Sequence, residues 1–198
     1  MAEMNILLLA SILQMFVGVF TTPAQIPSAA GTSGQLLKVL TTNDKIWLYK
    51  RTNKTNEHKC LYWQKTSFTN AGNTYNFEEV YWTPAKKTSK LEGTITSRPD
   101  SRIQGAALKV EGPSEEGNNI EYLLVTWNQT YNCGIFYTEI EKAGQRERQT
   151  CGLYFWEVSV DNQDALTNCD QDYKHYCTEY KTSEQVLYGS TCKQLQGC

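Results

Sequence analysis

The sequence predicts a closed antiparallel barrel of eight strands, and three observations carry that prediction. From Ile46 onward the chain falls into eight short segments rich in β-branched and aromatic residues, at 46–52, 60–66, 74–83, 90–97, 103–110, 120–127, 133–141 and 152–160. Turn-forming stretches separate them, among them "TNAGN", "RPDS", "EGPSEEGNN", "NQTYN" and "EKAGQRER". These connections are too short for parallel crossovers, so neighbouring strands run antiparallel. Helical spacing shows only at the two flanks, and closing eight strands on themselves removes the exposed edges.

The flanks complete the plan. Residues 25–34 ("QIPSAAGTSG") read as a flexible leader. "GQLLKVLTTND" follows as one or two helical turns with Leu36, Leu37 and Leu40 on one side. After the last strand, 164–186 carries Leu166, Cys169, Tyr173, Tyr176, Cys177 and Tyr180 at helical spacing, a stripe suited to lying against the barrel wall. The expected fold class is therefore all-β. It is a lipocalin-like eight-stranded antiparallel barrel with a short N-terminal helix and a C-terminal helix packed on the barrel.

The 198 residues fit one domain, 35–198, behind a leader and a signal peptide. Asn5 to Phe20 is a 16-residue apolar run broken only by Asn5, Ser11 and Gln14. A membrane span needs about 20 apolar residues, so the run reads as a signal-peptide core, with cleavage placed after Ala24. The segment before the run lacks Lys and Arg and holds Glu3, which leaves an uncleaved anchor as the other reading. Seven cysteines imply a disulfide framework and an oxidising, extracellular compartment. Asn53 and Asn128 head glycosylation sequons, and each is expected on a surface loop. Losing residues 1–24 removes one acid and no base, which moves the net charge from −2 to −1. That balance argues against nucleic acid as a partner.

Several features in order resemble the tick salivary lipocalins typified by the histamine-binding proteins. They are a short helix running into an aromatic first strand, Cys60 opening the second, "Cys-x-Ile-x-Tyr" at 133–137, and a strand ending at Trp156. "Asn-Cys" at 168–169, a Tyr-rich helix and the late Cys192 follow. The resemblance spans about 35 to 192 and implies the disulfides Cys60–Cys192 and Cys133–Cys169. Cys151 is assigned to Cys177 on a helical argument. Cys169 and Cys177 lie about 12 Å apart along a helix, and an antiparallel helix brings the second to the start of the eighth strand. Another mate for Cys151 stays open, and Cys198 is left as a free or intermolecular thiol.

Strand alternation offers two faces, both apolar, and the resemblance chooses between them. It implies a ligand-binding lumen lined by Tyr122, Leu124, Gly134, Phe136, Tyr154 and Trp156, with Trp47 and Leu108 or Val110 as additions. The family's amine-contacting acids fall at Gly134, Tyr154 and Leu124, so all three carboxylates are missing here. Glu78, Glu79 and Glu92 lie in nearby strands and are expected to face solvent. An acid-poor aromatic lumen favours an apolar guest such as an eicosanoid over histamine or serotonin, with the guest's carboxylate near Arg51 at the mouth. An amine would rest on cation–π contact with Trp156 or Tyr154 alone.

Neither His58 nor His175 has metal-ligand spacing, and no nucleophile, zinc or phosphate-loop motif occurs, so no enzyme, metal or cofactor is expected. Two functions remain. One is a secreted monomer that sequesters a small host mediator in its barrel and so perturbs host defence. The other is a barrel whose outer surface inhibits a host protein such as a complement factor.

Overall fold

The computed structural model describes residues 30–69, 71, 73–98, 103–180 and 182–196. The expected signal peptide, most of the leader and Cys198 lie outside them. Helix α1 spans Ser33–Leu40, and eight strands follow: β1 Ile46–Thr52, β2 Lys59–Thr69, β3 Thr74–Thr83, β4 Ala85–Arg98, β5 Gly105–Ser114, β6 Gly117–Asn128, β7 Cys133–Lys142 and β8 Gln145–Trp156. Each strand pairs antiparallel with the next. β1 pairs with both β8 (Leu48 opposite Tyr154) and β2 (Trp47 opposite Tyr62), which closes the barrel. Helix α2, Gln163–Cys177, lies on the outside, and a short ninth strand, β9 Glu184–Val186, pairs with β1.

Several strands run longer than the sequence predicts because hairpin residues continue the ladder. The β7–β8 turn needs only Ala143 and Gly144, both with positive φ (50° and 75°), as a tight hairpin demands. The charged stretch expected as a long turn is therefore strand, and β8 begins at Gln145 and ends at Trp156 instead of running over 152–160. The C-terminal helix stops at Cys177 rather than continuing to 186. β2 covers only Ile46 and Trp47 of one β1 edge, and residues 184–186 leave helical geometry to fill that edge at Lys50 to Thr52.

Thr32 caps α1 reciprocally: its hydroxyl accepts from the Gln35 amide at 3.2 Å, and its own amide donates to the Gln35 side chain at 2.8 Å. Leu36, Val39 and Leu40 are then buried over one end of the barrel, with Val39 in the place expected of Leu37. On the outer wall, Ala165, Cys169, Tyr173 and Cys177 recur at every fourth residue and face β7 and β8. Three disulfides fasten this arrangement: Cys60–Cys192, Cys133–Cys169 and Cys151–Cys177, with Cα separations of 5.2, 6.3 and 5.5 Å. Both arms of the β7–β8 hairpin are thus held to one helix. No described helix is long and apolar enough to cross a membrane.

Buried side chains form two layers, one inside the barrel and one between its wall and α2. Trp47 belongs to the outer layer, not to the lumen. Alternation along β1 turns Ile46 and Leu48 inward, and Trp47 packs outside between Tyr62 and Tyr188, at ring distances of 4.8 and 5.0 Å. A bulge between Leu48 and Lys50 then breaks the alternation. Beyond it Lys50 points outward to Asp170 and the Tyr173 ring, while Arg51 is drawn into the mouth.

Candidate ligand site at the barrel mouth

Tyr122, Leu124, Phe136 and Tyr154 come together inside the barrel, as expected, along with Leu108 and Val110. At their centre stands Trp63 on β2, which sequence reading did not single out. Its ring lies 4.7 Å from Tyr122, 5.1 Å from Tyr154 and 5.5 Å from Phe77. Phe136 meets Tyr154 edge-on at 5.1 Å. A water-lined lumen would wet these side chains, yet Trp63, Tyr122, Leu124, Phe136 and Tyr154 are each at most 2% exposed. The rings fill the space between the walls.

Towards α1, Trp127 and Trp156 pack at 5.3 Å, and the Trp156 indole donates to the Val39 carbonyl at 3.2 Å. Gly134 faces the same region, and Trp127 occupies the room a side chain would take. A Cβ there would lie 2.4 Å from the Thr126 carbonyl and 2.5 Å from the Trp127 ring. A Gly134→Asp substitution should therefore cost about 1–3 kcal/mol through overpacking and add no amine affinity. Urea melts and calorimetry check the two halves of that expectation; an acid at 134 that raised amine affinity would contradict it.

The opposite end holds the polar chemistry. Glu79 faces inward on β3, on the same side as Tyr75, Phe77 and Tyr81, contrary to the solvent-facing expectation. Of the other two acids, Glu92 is exposed as expected, and Glu78 is half-buried on the outer side of β3. The Glu79 carboxylate accepts the Trp63 indole N–H at 3.1 Å and the Glu115 backbone N–H. Glu115 and Glu116 stand at the β5–β6 turn and reach back into the mouth, where Arg51 meets both. Its guanidinium donates to Glu116 at 2.7 Å, to Glu115 at 2.9 Å and to Gln185 at 2.8 and 2.9 Å. Lys54 lies 3.0 Å from Glu116, and the His58 ring contacts Glu115. Arg51 is fully buried and saturated, so it offers no free cation to a ligand carboxylate at the mouth.

Burial governs the protonation of this cluster. It raises the Glu79 carboxyl from 4.5 to about 7, helped by the charges of Glu115 and Glu116 and opposed by the two N–H donors. Burial would raise Glu115 too, but Arg51, Lys54 and His58 hold it down at about 2. Burial would lower Arg51, and the same two glutamates raise it instead. Tyr122 and Tyr154 are pushed well up by burial.

Linkage then fixes a sign. The stabilisation tied to neutral Glu79 is present in full below pH 4.5 and is lost as pH rises through about 7. That shift corresponds to about 3 kcal/mol. Denaturation midpoints should fall between pH 5 and 8, and Glu79→Gln, neutral throughout, should remove most of that slope. An unchanged slope in the variant would show that other groups cause it.

The remaining expected positions lie at the surface or on the outer wall. The Asn53 side-chain Oδ1 accepts from the Thr182 amide at 3.0 Å and the Thr182 hydroxyl at 2.9 Å. Asn128 accepts from the Thr130 amide at 3.0 Å. His175 is exposed beside Tyr176. Among the described residues no group of three or more His, Cys, Asp or Glu is placed to hold a metal. A groove of about 530 Å³ runs outside the barrel between β1, β9 and α2, floored by Tyr49, Leu153, Leu166 and Val186.

No protein-family model matches the chain, and no curated protein matches it either. Solved structures do. Insecticyanin from the tobacco hornworm Manduca sexta superposes with a TM-score of 0.53 at 12% identity, covering 85% of this chain and 88% of that one. The H1 crustacyanin of the lobster Homarus americanus gives 0.51 at 14% identity, covering 86% and 92%. The serotonin complex of the tick protein AM182 gives 0.51 at 13%, covering 76% and 85%. The closed eight-stranded antiparallel barrel with its two flanking helices matches the lipocalin fold.

Proposed function

We propose that this chain is a secreted, non-enzymatic lipocalin that sequesters a small aromatic amine at the mouth of its barrel. The observation that carries this reading is Glu79, a buried carboxylate set against the aromatic cluster of Trp63, Tyr122 and Tyr154. A cationic amine leaving water needs an opposite charge and gains from ring faces, and this corner offers both. The sequence favours an eicosanoid because the family's acids are absent. That preference weakens once Glu79 faces inward and Arg51 is already neutralised by Glu115 and Glu116. The serotonin-bound tick barrel supports the amine class by fold alone. Three disulfides and paired sequons suit an extracellular protein, and removal of a host mediator fits the resemblance to salivary lipocalins.

Calorimetry with serotonin, histamine and a leukotriene tests the reading. Serotonin should bind about tenfold more tightly at pH 8 than at pH 6, because the ionised fraction of a carboxyl titrating near 7 grows by about that factor. Glu79→Gln should weaken serotonin binding by at least tenfold. Leukotriene binding with no serotonin binding would restore the lipid reading. The filled interior supports a second function, inhibition of a host protein by the outer wall, and absence of any small-molecule binding would favour it.

A further inference from the structure

We infer that the β5–β6 turn, Ser114 to Gly117, is a releasable plug, and that Glu79 is the catch for which the plug and a ligand compete. This rests on the amine reading only for the identity of the competitor; the plug itself stands on the geometry of the mouth. The turn enters the barrel end instead of extending into solvent, because Arg51 holds both of its glutamates and Thr150 donates to Glu116 at 3.4 Å. Its backbone is tied on both sides of Glu115: the N–H donates to Glu79 on the barrel wall, and the carbonyl accepts from the Lys54 ammonium at 3.2 Å. The other Glu79 oxygen takes the Trp63 indole N–H, and with Glu79 only 1% exposed the packing around it leaves an incoming ammonium no approach while the turn is seated. A cation that reaches Glu79 must therefore lift the turn, which withdraws the Glu115 amide.

The charge around the catch sets when that happens. Glu79 faces Glu115 and Glu116 from the turn, Arg51 from β1, Lys54 and His58 from the β1–β2 connection, Tyr81 on its own strand, Tyr122 from β6 and Tyr154 from β8. With Glu79 neutral, Arg51 and Lys54 balance the two turn glutamates. With Glu79 ionised, three buried carboxylates share those two cations. Lifting the turn restores water to Glu79, so ionisation favours opening, and the plug loosens as pH rises through neutrality.

Amide hydrogen exchange on the ligand-free protein tests this without assuming any ligand. The protection factor of the Glu115 amide, corrected for intrinsic exchange, should fall about tenfold from pH 6 to pH 8 and should lie well below that of barrel amides such as Leu123, which exchange only on global unfolding. In Glu79→Gln the fall should vanish. A Glu115 protection factor that stays flat over this range in the wild type, or one equal to that of Leu123 throughout, would overturn the plug. Serotonin serves as the probe in a second arm, where saturation should cut Glu115 protection at constant pH. pH-dependent opening without serotonin binding would sink the amine reading and leave the plug standing; serotonin binding with Glu115 protection unchanged would do the reverse.

Discussion

An Arg51→Met variant should lose about 3–5 kcal/mol of unfolding free energy at pH 7, the range for breaking a buried ion pair from one side. The side chains of Glu115 and Glu116 are only 0% and 2% exposed, and Lys54, Asn56 and the His58 ring would remain to face them without the buried guanidinium. The loss should shrink in acid, because without the guanidinium the Glu115 carboxyl, held at about 2 by Arg51, Lys54 and His58, returns upward and can take a proton. Combining Arg51→Met with Glu115→Gln and Glu116→Gln should recover most of the loss, since no uncompensated charge is then buried. Arg51→Lys should fall between, because an ammonium cannot reproduce the forked contacts to Glu115, Glu116 and Gln185. Urea titrations of the three variants and the wild type at pH 7 and pH 4 decide the matter. An Arg51→Met loss below about 1 kcal/mol would mean that the cluster contributes little to the closed mouth.

Removing Cys60–Cys192 should be the most damaging of the three disulfide deletions. Its partners are separated by 132 residues in sequence, against 36 for Cys133–Cys169 and 26 for Cys151–Cys177. Loop-closure entropy assigns about 5 kcal/mol to the first and about 3.5–4 kcal/mol to each of the others. Paired Cys→Ala variants compared by thermal and urea unfolding test the order. If Cys60→Ala/Cys192→Ala proves the mildest, pairing of β9 with β1 already restrains the tail, and the entropic account fails for this bridge.

What the sequence reveals about this molecule follows from which physical signals are local. Strand number and order are legible because alternation and turn chemistry repeat eight times, and short connections leave little choice of neighbour. The two faces of a strand are not labelled as inside or outside when both are apolar. In "YNFEEVYW" Tyr75, Phe77, Glu79 and Tyr81 share one face, while Val80 and Trp82 make the other equally greasy. The usual exposure of carboxylates therefore decided for solvent, and wrongly for Glu79. The bulge at Leu48 and Lys50 is likewise silent in sequence, although it sends Arg51 inward. "EGPSEEGNN" reads as an exposed turn because its glutamates acquire a partner only through tertiary contact with Arg51, 64 and 65 residues away in sequence. Resemblance located Tyr122, Leu124, Phe136 and Tyr154 on the inner wall but supplied no signal for Trp63, the ring at their centre.

The bridge from Cys60 to Cys192 also bears on survival where peptidases are abundant. Any single backbone cut between those two residues leaves both fragments joined through sulfur. Exposed lysines such as Lys86 and Lys87 on β4 are natural targets for trypsin-like cleavage. A molecule clipped there would still hold its two pieces in register through the neighbouring ladders and the covalent tie. Damage that would split an unbridged chain would leave this one a single covalent molecule, heavier only by the water added at the cut, and the two fragments would separate only after reduction.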